Sequence, residues 1–172
     1  MKTSLRIRVV LLALAWLIGF PPSRTAQAAR AVPNQSLAIV VNRSNPIDNL
    51  STAELRKIFL GERSHWPSGH RIAVAMLEYG PEREAVLRQI YRMSEGGYRN
   101  HFIKGIFRGE VPVSPRTLAS PVLIRKFIFN APGAIGYLRS SDVDETVKVL
   151  RIDGHLPDDR DYRFQIDESG AR

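Results

Sequence analysis

Leu37-Ala38-Ile39-Val40-Val41 contains no polar residue. A strand of that composition leaves neither face for water, so it must lie in a sheet covered on both sides. The segments that follow supply the cover. Asn42 to Asn49 is a turn segment. Ser51 and Glu54 form a capping-box pair, with Leu50 and Leu55 placed as a hydrophobic staple. The spacing predicts a helix from Thr52 to about Leu60, ended by Gly61, with Leu55, Ile58 and Phe59 inward. Arg71 to Leu77 reads as a second strand. Pro81 suits the first position of a helix that runs to about Met93, with Val86, Leu87, Ile90 and Tyr91 inward. Ser94 can cap the next helix, in which Tyr98, Phe102, Ile103, Ile106 and Phe107 keep helical spacing. Val111 to Arg116 reads as a loop. Ser120 and Pro121 open a further amphipathic helix that Asn130, Pro132 and Gly133 close. Ala134 to Leu138 is a third strand, and Thr146 to Ile152 alternates as an edge strand does. Strands alternating with helices predict an α/β domain around a mostly parallel sheet flanked by helices.

The domain does not begin at Met1. Lys2, Arg6 and Arg8 precede the apolar run Val9 to Phe20, and Ala26-Gln27-Ala28 follows it. A charged region, a short apolar core and a small-x-small site in that order predict a secretory signal over residues 1–28, cleaved between Ala28 and Ala29. The apolar run is roughly a dozen residues, short of the ~20 that cross a bilayer. Residues 29–36 are expected to be a flexible arm, 37–153 the domain, and 154–172 a loose polar tail. The expected location is the periplasm, without stable membrane insertion after cleavage. Lys2, Arg6, Arg8 and Arg24 leave with the signal and no acid does, so the formal +8 falls to +4. That is a mild preference for anionic partners and not the footprint of a nucleic-acid binder. The chain has no Cys, so neither disulfide nor thiol chemistry is available to it, nor is a lipid anchor on Cys.

No catalytic constellation can be assembled. His65, His70, His101 and His155 lack metal-ligand spacing. There is no nucleophile elbow and no Gly-rich phosphate loop with Lys. The expectation is therefore no catalytic residue, no metal and no cofactor. Trp66 and Tyr79 are able to stack on a ligand, but a place in a small satellite core is the simpler reading of each. The turn from Glu78 to Arg83 is the best candidate site. Ligands of open α/β sheets sit beyond the carboxyl ends of strands, and a helix N-terminus favours anions. Pro81 removes one donor there, however, and Glu82 and Glu84 already use the helix dipole. A capped structural helix is the competing reading.

Two segments carry a resemblance. Leu50 to Gly61, LSTAELRKIFLG, followed by Trp66, resembles a segment of the phosphate-type periplasmic substrate-binding proteins. Asn130 to Tyr137, NAPGAIGY, resembles a second segment of that family at the expected distance downstream. The resemblance implies a type II periplasmic-binding-protein fold and anion delivery to an ABC transporter. It implies phosphate or another small anion as ligand, with Ser51, Gly80 and Arg83 as the candidate ligand-binding residues. Membrane subunits of the transporter, or a sensor, are the implied protein partners. Full-length members carry an Arg and an S-G-T triplet at the turn aligned with Leu77 to Arg83, where this chain has Leu77, Pro81, Glu82 and Arg83. The chain is expected to be a short variant of roughly one lobe, with weak or lost ligand binding. The alternative is an interaction module that contacts a transporter or sensor and holds no small molecule.

Overall fold

A computed structural model describes residues 35–167. The expected signal and its Ala28–Ala29 cleavage site lie outside the described residues. Five strands form one sheet in the order β4-β3-β5-β1-β6. These are β1 (Leu37–Asn42), β3 (Ala73–Leu77), β4 (Arg116–Leu118), β5 (Ala134–Arg139) and β6 (Val147–Val149). A separate parallel pair joins β2 (Asn49–Leu50) to β7 (Arg151–Ile152). β3 runs parallel to β4 and β5, while β1 is antiparallel to both its neighbours. Four of the five strands therefore point one way and β1 alone is reversed, giving a mixed, mostly parallel sheet.

All six residues of β1 are buried: Leu37 to Val41 as their apolar composition demands, and Asn42 with its amide donating to the Ile128 and Phe129 carbonyls. The helix α4 (Pro121–Asn130) covers one face with Ile124 and Ile128, both fully buried. Gly136 of β5 makes room for it, because a Cβ there would lie 3.1 Å from Ile128 Cδ1. The opposite face of β3 carries Met76, whose sulfur accepts a hydrogen bond from the Tyr91 hydroxyl at 3.2 Å. Tyr91 ends a π-helical turn (Leu87–Tyr91) that continues the short helix α2 (Pro81–Val86). Its ring meets Phe59 of α1 (Thr52–Phe59) and Tyr98 and Phe102 of α3 (Glu95–Phe107) edge-on. This aromatic contact fastens three helical segments to one side of the sheet.

Several expectations are corrected. Arg116, the last residue of the expected loop, opens the edge strand β4. The strand expected over Thr146 to Ile152 is two strands in two sheets: the Leu150 N–H still bonds to Ile39 of β1, whereas the Arg151 N–H turns to the Asp48 carbonyl beside β2. The helix from Pro81 ends close to the expected Met93, but its second half is π-helical and Arg92 closes it with a left-handed backbone. Of the apolar residues at helical spacing in α3, Tyr98 and Phe102 are buried, with Gly105, whereas Ile103, Ile106 and Phe107 face solvent.

The expected loose tail is packed over its described part. Tyr162, Phe164 and Ile166 are buried. Leu37 donates to Phe164, and Ile166 donates to Gln35. The Tyr162 hydroxyl donates to the Leu37 carbonyl at 2.7 Å. Ser36, placed in the expected arm, pairs with Gln165 as a β-bridge. The run Tyr-Arg-Phe-Gln-Ile has the period of a half-buried strand. Its charged neighbours hide that signal from a composition reading.

Candidate functional site

β3 delivers the chain to the candidate turn. The Glu78 N–H bonds to Leu118 of β4, Tyr79 stands 70% exposed, and Gly80 then caps α2 with φ +107°. Only glycine adopts that backbone readily. The two residues after Pro81 are already engaged. Glu82 accepts both the Nε and a terminal nitrogen of Arg139, at 2.9 and 2.7 Å. Arg83 is buried at 7% exposure. It donates to the two carboxylate oxygens of Glu95 at 3.1 and 2.8 Å, and to the Leu77 carbonyl at 2.8 Å. Its guanidinium also lies 5.1 Å over the Tyr98 ring.

The electrostatics follow from these contacts. Burial opposes the charge on Arg83, but the hydrogen bond and charge of Glu95 outweigh it and hold its pKa above the ordinary value. The same hydrogen bond holds Glu95 below the usual carboxylate range. Burial pushes up the hydroxyls of Tyr98 and Tyr137 nearby. An open groove of about 510 Å³ beside the turn is lined by Glu78, Glu84, Glu95, Arg83 and Arg88, among others. Arg83 is paired with Glu95, and Arg88 with Asp167 at 2.7 Å. The groove therefore presents three carboxylates against two guanidinium groups that already have partners. An anion entering it meets more repulsion than attraction.

Ser51 has a structural role in the other candidate position. Its hydroxyl accepts the Glu54 N–H, and the Glu54 carboxylate accepts the Ser51 N–H at 2.9 Å, so the expected capping box is present. Asp153 accepts from both the backbone and the hydroxyl of Thr52, at 2.9 and 2.6 Å. The hydrogen bonds from Ser51 and Thr52 hold the Glu54 and Asp153 carboxyls below their ordinary pKa values. Two of the chain's own carboxylates thus occupy the positive end of α1. Ser51→Ala should lower stability by about 0.5–2 kcal/mol, read as a shift in denaturant midpoint. A change under a few tenths of a kcal/mol would mean that the cap is idle.

Trp66 is core: 3% exposed, with its indole N–H bonded to the Gly133 carbonyl at 3.0 Å. Tyr79, with its exposed ring, has no place in a satellite core. Sequence reasoning missed Glu95 and Arg139, the partners that fill this turn. Glu95 gave no signal, because its partner Arg83 lies 12 positions earlier, across the expected break before Ser94, where no local spacing pairs the two. Among the described residues, no group of His, Cys, Asp and Glu is placed to hold a metal ion.

Comparison with known proteins gives the kinship. The phosphate-binding protein PstS of Bacillus subtilis strain 168 is 31% identical over 136 residues, covering 76% of this chain. The chain is a relative of the phosphate-binding proteins. It spans 42% of the length of that curated relative. Among solved structures, an ABC-type phosphate transport receptor from Vibrio cholerae matches with a TM-score of 0.58 and 22% identity, over 71% of this chain and 48% of the receptor. PstS from Borrelia burgdorferi matches at 0.53 and 15%, over 71% and 49%. These two carry the fold alone: a mixed sheet flanked by helices, as in phosphate receptors. No family model matches. Against this kinship, the glycines of the NAPGAIGY segment have packing roles here. A Cβ on Gly133 would lie 2.0 Å from the Arg71 carbonyl oxygen, and one on Gly136 would press on Ile128.

Proposed function

We propose that this chain is an exported, periplasmic domain of substrate-binding-protein type that serves phosphate or anion uptake by an ABC transporter, and that its own hold on the free anion is weak or lost. It is not an enzyme on this reading. Ser51 at the start of α1, and Gly80 and Arg83 at the β3–α2 turn, are the remnant of a ligand site. It works by touching the transporter's membrane subunits or a sensor.

The observation that supports this reading is the engagement of Arg83 by Glu95 and the Leu77 carbonyl. An Arg that faced a ligand would keep donors pointed at the open groove. This one directs three donors at its own chain, in a groove with a surplus of carboxylates. The exported location is supported by the charged, apolar and small-x-small order of residues 1–28. Among the described residues, no helix is long and apolar enough to cross a membrane.

Thermal melts in phosphate test the reading. A ligand present at a hundred times its dissociation constant stabilises a fold by about 2.7 kcal/mol. The expected result is no shift with millimolar phosphate beyond that in sulfate at equal ionic strength. A phosphate-specific rise of several degrees, matched by a saturable heat in titration calorimetry, would overturn the loss of ligand binding.

A further inference from the structure

α3 is apolar on two sides, and only one of them is covered. Tyr98, Phe102 and Gly105 face the core. On the outer side, Ile103 is 60% exposed, Ile106 45% and Phe107 92%. With 3.6 residues per turn, positions three and four apart are surface neighbours, so these three side chains form one contiguous ridge. Cations border it. Arg99 lies one turn before Ile103 in the same row, and Lys104 and Arg108 form the adjoining row. All three are exposed. Two acids lie on or beside the helix. Glu95 at its start is held by Arg83, and Glu110 beyond its end sits 3.8 Å from Arg108. The apolar ridge is thus met by a cation at its start and by a cationic row along one side, which suits a surface that is apolar inside and anionic at its boundary.

We propose that the outer face of α3 docks on an anionic membrane surface, with Ile103, Ile106 and Phe107 entering the headgroup boundary and Arg99, Lys104 and Arg108 facing lipid phosphates. The proposal does not depend on the anion reading of the β3–α2 turn. Size favours lipid over protein: three partly exposed side chains fall well short of the roughly 800 Å² per partner of a specific protein interface. Charge complementarity selects anionic lipid.

Flotation of the full chain with vesicles tests this. One set is phosphatidylcholine, and the other is phosphatidylcholine with phosphatidylglycerol. Residues 1–28 are present in every variant, so differences between variants report on α3. The expected result is preference for the anionic vesicles, weakened by salt. Ile103→Ser with Phe107→Ser should weaken that binding about tenfold or more. Lys104→Glu with Arg108→Glu should remove the preference for anionic over neutral vesicles, at about fivefold or more per cation. Phe107→Ser alone, at the most exposed position, keeps the test readable if the double variant is unstable. Equal binding by wild type and the apolar variants would overturn the proposal, as would equal failure to bind either vesicle. Concentration-dependent self-association that Phe107→Ser abolishes would overturn it too, and would assign the face to a second copy of the chain.

Discussion

Gly133→Ala is expected to cost the fold about 3 kcal/mol or more, because the Cβ it adds makes the tightest approach at any described glycine. The added Cβ would stand 2.0 Å from the Arg71 carbonyl oxygen and 3.0 Å from its carbon. Both are backbone atoms, so no side-chain rotation relieves the overlap, and the strands have to part. Gly133 is also where β3 and β5 begin to pair. Its carbonyl accepts the Ala73 N–H at 3.1 Å and the Trp66 indole N–H at 3.0 Å. Separation therefore strains two hydrogen bonds and loosens the indole from the core. Gly96→Ala is the control. Nothing lies within 4 Å of a Cβ there, and it sits in a helix, so that change should stabilise by up to about 1 kcal/mol. Urea midpoints of the two variants decide. A Gly133→Ala protein within about 1 kcal/mol of wild type would show that the close approach is soft.

Arg83→Met should cost about 2–3 kcal/mol at neutral pH. The change keeps most of the side-chain volume, so the loss is that of the contacts. The buried Leu77 carbonyl loses a donor at 2.8 Å, and the Tyr98 ring loses its cation. Glu95 loses its partner, but its side chain is 49% exposed and regains water. For that reason the cost stays below the 3–5 kcal/mol of breaking a fully buried pair. The pH dependence carries a second signature. Arg83 lowers the pKa of folded Glu95. The stabilisation from this pair is thus complete above the unfolded glutamate pKa and disappears as pH falls through the lower folded value. The gap between wild type and Arg83→Met should narrow on acidification below pH about 4. A gap that is constant with pH would mean that Glu95 takes no part. A cost under 0.5 kcal/mol would mark Arg83 as an ordinary surface residue, open to a ligand after all.

The elements that sequence reasoning found are those with local signals. The Ser51–Glu54 capping box, Ser94 and Ser120 as caps, and Pro81 and Pro121 at helix starts all stand where the spacing placed them. Caps join residues three apart, so the chain carries the whole instruction in one short window. The candidate site was legible only in part. Pro81, Glu82 and Glu84 already argued against a bound anion, and the observed groove adds the carboxylates of Glu78 and Glu95 to them. Arg83 was read as a candidate ligand residue, because its partner Glu95 lies beyond the helix end at Arg92. The break before Ser94 was legible, but nothing local pairs Arg83 across it.

The sequence by itself determined that a strand at Leu37–Val41 must be buried, that helices begin at Ser51, Ser94 and Ser120, and that the domain is α/β. Each rests on apolar pattern or backbone geometry within a few residues, and is therefore settled before any long-range contact forms. Only the tertiary structure decided which strands are neighbours, that β1 runs against the others, and that residues 162–166 complete the core beside Leu37. It also decided that Glu82 answers Arg139, 57 positions away in the chain. Such pairings depend on loop closure and on which buried polar groups still need partners, and the chain sets those conditions only once it has folded.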